Sequence, residues 1–153
     1  MQSVRQVAWQ VETLIDEHKK AILSDIDHQI HNSHGCQKRL AFLCLVRLGI
    51  RGGVELYELQ RRDLTVTIDN RGCEYVRFEE RLSKNNNYTL DRYNEEQFRK
   101  VYHSYEEDFV LTTKQYLRHL PVEGEGMKHD LFLSPIITNP SGNIWYSREH
   151  KAS

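Results

Sequence analysis

The sequence predicts an α+β fold, mainly helical, with a small antiparallel β-hairpin or three-stranded sheet. Three observations point to it. The run Lys38–Gly49 is apolar on almost every side, so the helix it forms belongs at the centre of a core. Between residues 64 and 79 the apolar period changes to two, with turn chemistry in the middle. Helical spacing then returns over 94–105 and 109–119, just before Pro121.

Taken in order, residues 7–30 read as a helix, with Val11, Leu14, Ile15, Ile22, Ile26 and Ile30 near one face. His31-Asn32-Ser33-His34-Gly35 reads as a breaker. The central helix follows, and Gly49 is placed to end it as a C-terminal cap. After Ile50-Arg51-Gly52-Gly53 comes a short helix over 54–59. Leu64–Ile68 and Glu74–Glu79 alternate as strands around Asp69-Asn70-Arg71-Gly72, a hairpin turn. Lys84-Asn85-Asn86-Asn87 is a second polar turn that leads to a short third strand around Tyr88–Arg92. Beyond the two helices lie a glycine-rich connector over 123–126, a short buried strand at Leu131-Phe132-Leu133 and a turn at 139–142. Trp145-Tyr146-Ser147 reads as exposed.

Composition narrows the function classes. At 153 residues the chain fits one domain, with enough aromatic and aliphatic side chains to exclude a disordered polymer. No apolar stretch approaches the roughly 20 residues that span a bilayer, and residues 1–20 are not of signal-peptide type. Cys36, Cys44 and Cys73 form no C-x-x-C pair, which argues against a disulfide framework or zinc finger; Cys44 reads as packing. His28, His31 and His34 share a spacing of three but sit in a breaker, so a polar helix end is expected there and no metal or other cofactor. Tyr102, Tyr105 and Tyr116 have base-stacking chemistry, yet their helical spacing favours core packing.

Net charge is −1, but it is unevenly spread. Lys38–Arg62 carries six bases against two acids, and Glu95–Asp108 carries five acids against two bases. Such a split gives one cationic face on a neutral molecule, or ordinary surface charge. Glu106-Glu107-Asp108 reads as a solvated run or a helix N-terminal cluster.

Two boxes carry a resemblance. Leu48-Gly-Ile-Arg51-Gly-Gly-Val-Glu-Leu-Tyr-Glu-Leu59 resembles the first active-site box of tyrosine recombinases, most closely the leucine–arginine–glycine–glycine variant of Crypton-type transposon recombinases and their domesticated relatives. Glu74–Leu82 followed by Ser83-Lys84-Asn85-Asn86 resembles the family's second feature, a strand that ends in a lysine–asparagine hairpin turn. Tyr116–Pro121 with Leu131–Leu133 resembles its linking region. The likeness covers roughly residues 38–147, and implies that 38–153 is the front part of such a catalytic domain. Residues 1–37 are then a helical segment, either the start of that domain or the end of an upstream one.

What the resemblance implies is DNA chemistry in the nucleus, on the phosphate backbone of duplex DNA, with self-association in keeping with the family and no membrane. Arg51 would hold the crowded, extra-negative phosphorane through two parallel guanidinium donors, with Gly52 and Gly53 letting the backbone approach. Lys84 would protonate the leaving 5′-oxygen. Arg61, Arg62 and Asn85 complete the expected DNA contacts. Read without the family, Arg51 caps helix carbonyls, Lys84 is a solvated turn residue and Arg61-Arg62 a solvated pair. Val54 stands where recombinases place an acid, with Glu55 beside it. None of the eight histidines has an arginine three residues later, and no tyrosine follows Tyr146, so this stretch holds neither the family's His-x-x-Arg box nor its nucleophile. A domesticated protein-interaction module is the alternative function.

Overall fold

A computed structural model describes residues 16–25, 29–50, 52–80, 100–122, 129–136 and 142–152. Its elements are α1 (Asp16–Ser24), α2 (Ser33–Leu48), α3 (Gly52–Tyr57), one 3-10 turn (Arg61–Asp63), β1 (Leu64–Ile68), β2 (Glu74–Glu79), β3 (Val101–Ser104), α4 (Glu107–Arg118), β4 (Leu133–Pro135) and β5 (Tyr146–Lys151). The α+β class is as expected.

The central helix is α2. Cys36, Leu40, Ala41, Phe42, Leu43, Cys44 and Leu45 are all buried along it. It begins earlier than the sequence reading had it, because Asn32 acts as a cap and not as a breaker. The Asn32 side-chain oxygen accepts from the Gly35 amide at 2.7 Å, so His34 and Gly35 belong to the first turn. Glycine is required at 35: a Cβ there would lie 2.2 Å from the Gln29 carbonyl oxygen. At the other end Gly49 adopts φ 64° and closes the helix as expected. The first predicted helix is described only over Asp16–Ser24; Gln29 and Ile30 are not helical, and residues 7–15 and 26–28 lie outside the described residues.

The hairpin is where alternation predicted it. β1 and β2 pair antiparallel with Val66 opposite Val76, through a turn in which Gly72 has φ 82°. β2 then pairs antiparallel with β3, Arg77 opposite His103, in the sheet order β1-β2-β3. The third strand is therefore Val101–Ser104, inside the span read as a helix over 94–105; the proposed strand at 88–92 falls outside the described residues. Pairing overrides helical spacing here, because β2 has backbone donors and acceptors on both edges and β3 satisfies one of them.

The inner face of this sheet, with Leu64, Val76 and Phe78 buried, packs under α4, which also lies along α2. α4 starts two residues before the predicted 109, with Glu107 and Asp108 in its first turn, where the helix dipole favours acids. A second antiparallel pair, β4 with β5, seals the far side. Leu131 and Phe132 are fully buried, but regular strand begins only at Leu133.

The expectation of an exposed Trp145-Tyr146-Ser147 is overturned. Tyr146 is fully buried, its ring 4.6 Å from that of Tyr116, and its hydroxyl donates to the Ser33 carbonyl at 2.6 Å. Trp145 is half-buried and lies flat on His119, centroids 3.5 Å apart at 3°. Buried tyrosines need a hydroxyl partner, and Tyr116 finds one in the Leu131 carbonyl at 2.7 Å. Gln37 binds the Tyr116 hydroxyl at 3.2 Å and the Leu133 carbonyl at 2.5 Å, so one polar side chain of α2 ties α4 to β4. Among the described residues no helix is long and apolar enough to cross a membrane.

Candidate nucleic-acid interface

Of the expected site residues, Arg51, Lys84 and Asn85 lie outside the described residues. Their positions in the chain are nevertheless definite. Arg51 falls between the left-handed cap at Gly49 and the first residue of α3. Lys84 and Asn85 fall in the link between the paired strands β2 and β3.

Arg61 and Arg62 are described, and they diverge. Gln60 and Asp63 close the 3-10 turn on itself: the Gln60 amide donates to Asp63 Oδ2 at 2.8 Å, and the Asp63 amide to the Gln60 carbonyl at 2.9 Å. That turn sends the two arginine side chains apart. The Arg61 guanidinium donates to the Pro121 carbonyl and its amide to the His129 carbonyl at 2.9 Å, so it knits three segments together. Arg62 is exposed. Only Arg62 of the pair presents its charge freely to solvent.

The same inward use of charge extends along the basic segment. Lys38 is buried. Arg39 donates to the Leu23 carbonyl at 2.6 Å and to Thr112 Oγ1 at 3.1 Å. Arg47 pairs with Asp108 at 3.2 Å and reaches Glu106 at 3.9 Å. The basic and acidic segments are therefore partly neutralised against each other. The cause is packing: the C-terminal end of α2 meets the N-terminal end of α4, a favourable meeting of dipoles as well as charges.

The outer face of the three-stranded sheet carries a cluster that sequence reasoning missed. Tyr75 lies between His103, with ring centroids 4.7 Å apart, and Tyr105, at 5.1 Å. The Tyr105 hydroxyl donates to Asp69 Oδ2 at 3.1 Å. Asp69 also receives the Arg71 and Cys73 amides, each at 2.9 Å, and the Arg71 guanidinium at 3.3 Å. These donors, the Cys73 amide foremost, hold the Asp69 carboxyl below the ordinary carboxylate range. Burial and the adjacent Asp69 push the Tyr105 hydroxyl upward. Core packing is right for Tyr116, which is fully buried; Tyr102 and Tyr105 are 39% and 49% exposed. Period-two alternation already puts Tyr75 and Arg77 on one face, but His103 joins them only once Val101–Ser104 is a strand.

Of the three free cysteines, Cys36 and Cys44 are buried and Cys73 is exposed. Cys44 is fully buried and burial pushes its thiol far up, as it does the Cys36 thiol, to about 12. His34 is lowered by burial and then by Lys38. Among the described residues no group of three or more His, Cys, Asp or Glu side chains is placed to hold a metal. Tyr146 is sealed in the core and unsuited to attack a phosphate. Searches of protein-family models, of curated proteins and of solved structures find no match to this chain.

Proposed function

We propose that this chain is a DNA-binding domain of tyrosine-recombinase type, from the DNA recombination and integration lineage and nearest to its Crypton-derived branch. Its partner is the phosphate backbone of duplex DNA in the nucleus, and its contacts are Arg51, Arg62, Lys84 and Asn85. Strand exchange would need a His-x-x-Arg box and a tyrosine nucleophile, which the 153 residues do not contain, so the function proposed for them is DNA contact.

One observation carries the reading, the order of elements around the two basic residues. A buried helix ends in a left-handed glycine, Arg51 follows after Ile50, a short helix comes next, and then three antiparallel strands in sequential order. Lys84 falls in the link between the second and third. The order of helix, Arg51, short helix and hairpin supports the reading, which expects a lysine–asparagine turn after β2. Arg61 serves the fold, through Pro121, and is left out of the contact set.

The test is a salt titration of binding to a labelled duplex. Binding should weaken steeply with salt, and Arg51→Ala and Lys84→Ala should each lower the slope of log K against log salt by about 1. Salt-independent binding, or none to any duplex, sinks the proposal. A second reading, a transposon-derived protein-interaction module without DNA chemistry, is favoured by the internal use of Lys38, Arg39, Arg47 and Arg61. Capture of a protein partner that persists in Arg51→Ala and Lys84→Ala, from a chain that ignores DNA, would select it.

A further inference from the structure

The outer face of the β1–β2–β3 sheet offers a second kind of contact, which needs neither Arg51 nor Lys84. Its three rings are held in fixed relation, Tyr75 between His103 and Tyr105, and the two outer rings belong to exposed residues. Leu64, Val76 and Phe78 pack the inner face of β1 and β2, and β3 is paired to β2, so these rings are displayed on the outer side of a folded sheet. Tyr105 is held further by its hydrogen bond to Asp69.

The charges around the rings are layered. Arg71 is 77% exposed where its partner Asp69 is 16%, and Arg77 is 37% exposed where its partner Glu79 is 26%. On each pair the guanidinium is the outer member and the carboxylate the inner one. Glu106, the acid next to Tyr105, is drawn towards Arg47 of α2. A ligand that approaches this face meets aromatic surface and the two more exposed guanidinium groups, with the exposed Glu106 carboxylate at the Tyr105 end. Flat rings on a phosphate backbone fit that arrangement, because every base has a face to stack and guanidinium both pairs with phosphate and stacks.

We propose that this sheet face binds single-stranded DNA by stacking unpaired bases on His103 and Tyr105, with Arg71 and Arg77 on the flanking phosphates. Sheet-displayed aromatics serve single-stranded nucleic acid in this way in other folds. Paired bases do not expose their faces, so the preference is for unpaired over duplex DNA.

The experiment measures fluorescence anisotropy of the full chain with a labelled oligothymidylate, the same sequence as a perfect duplex, and an oligouridylate. Oligothymidylate should bind more tightly than duplex. His103→Ala and Tyr105→Ala should each weaken it on the order of 10-fold, while Tyr105→Phe, which keeps the ring, and His103→Phe should retain it. Circular dichroism of each variant shows whether the sheet is intact, and His103, being exposed, is the variant least able to disturb it. Duplex binding that falls in Lys84→Ala, with no preference for the single strand and no effect of His103→Ala, overturns this proposal and leaves the recombinase reading standing. Tighter binding of oligouridylate than of oligothymidylate overturns the assignment to DNA. No binding to any of the three removes both.

Discussion

Asp69 shows how much one side chain in a turn can organise. Its two oxygens collect two backbone amides, a guanidinium and a tyrosine hydroxyl, and so join the β1–β2 turn to the residue that leaves β3. All four donors favour the ionised form, and the folded carboxyl is accordingly lowered. A carboxyl lowered on folding adds stability that is intact above its unfolded pKa of about 3.9, and that is lost as pH falls towards the folded value. Melting temperature measured from about pH 5 down to about pH 2.5 should therefore fall more steeply in the wild type than in Asp69→Asn. Parallel curves would mean that the carboxylate is not held as described. Arginines 61 and 62 teach a related lesson. As neighbours in sequence they look equivalent, and only the Gln60–Asp63 turn decides that one faces the core and the other solvent.

Among the elements, what was legible depended on whether the local pattern was also the deciding force. α2 was readable because its apolar residues leave almost no polar face, and Gly49 because a left-handed cap has few alternatives. The β1–β2 hairpin was readable because alternation and turn chemistry agree. β3 was not: Val101–Ser104 has no strong signal of its own and becomes a strand because β2 offers it an edge. The start of α2 was misread for a different reason. His31-Asn32-Ser33-His34-Gly35 has the composition of a loop, but an asparagine cap and a close backbone crossing explain it equally well. Gly35→Ala tests that crossing. The added methyl meets the Gln29 carbonyl, which cannot swing aside as a flexible side chain would, and the expected cost is about 1–3 kcal/mol in chemical denaturation. An unchanged midpoint would show that residue 29 does not pass there.

For the molecule as a whole, the basic–acidic split visible in the sequence is largely an internal matter. Arg47 meets Asp108 where two helices meet, and Arg39 and Arg61 bind carbonyls, so formal charge along a segment overstated what solvent sees. Arg51 and Lys84, the two basic residues of the proposed contact, lie outside the described residues, so their part rests on the motif alone. The aromatic face was hidden until the sheet gained its third strand. What holds the layers together is equally non-local: Tyr146 on β5 packs on Tyr116 of α4 and bonds to Ser33 at the head of α2. Tyr146→Phe keeps the ring and should cost about 1 kcal/mol, the lost bond to a buried carbonyl. Tyr146→Ala removes the ring as well and should cost about 3–5 kcal/mol, by analogy with other large-to-small core changes. Equal losses in the two variants would assign the whole effect to the hydroxyl.

The bond from Tyr146 to Ser33 spans 113 positions of the chain, which has a consequence for vectorial synthesis. A ribosome adds about 5–20 residues per second, so several seconds separate the emergence of the apolar α2 from that of the strand that covers it. For that interval α2 has at most α3 and α4 to pack against, and the part of the core that Leu133 and Tyr146 close stays open to chaperones or to neighbouring chains. Synonymous changes that slow translation between α2 and β5 should therefore lower the soluble yield of an unchanged protein.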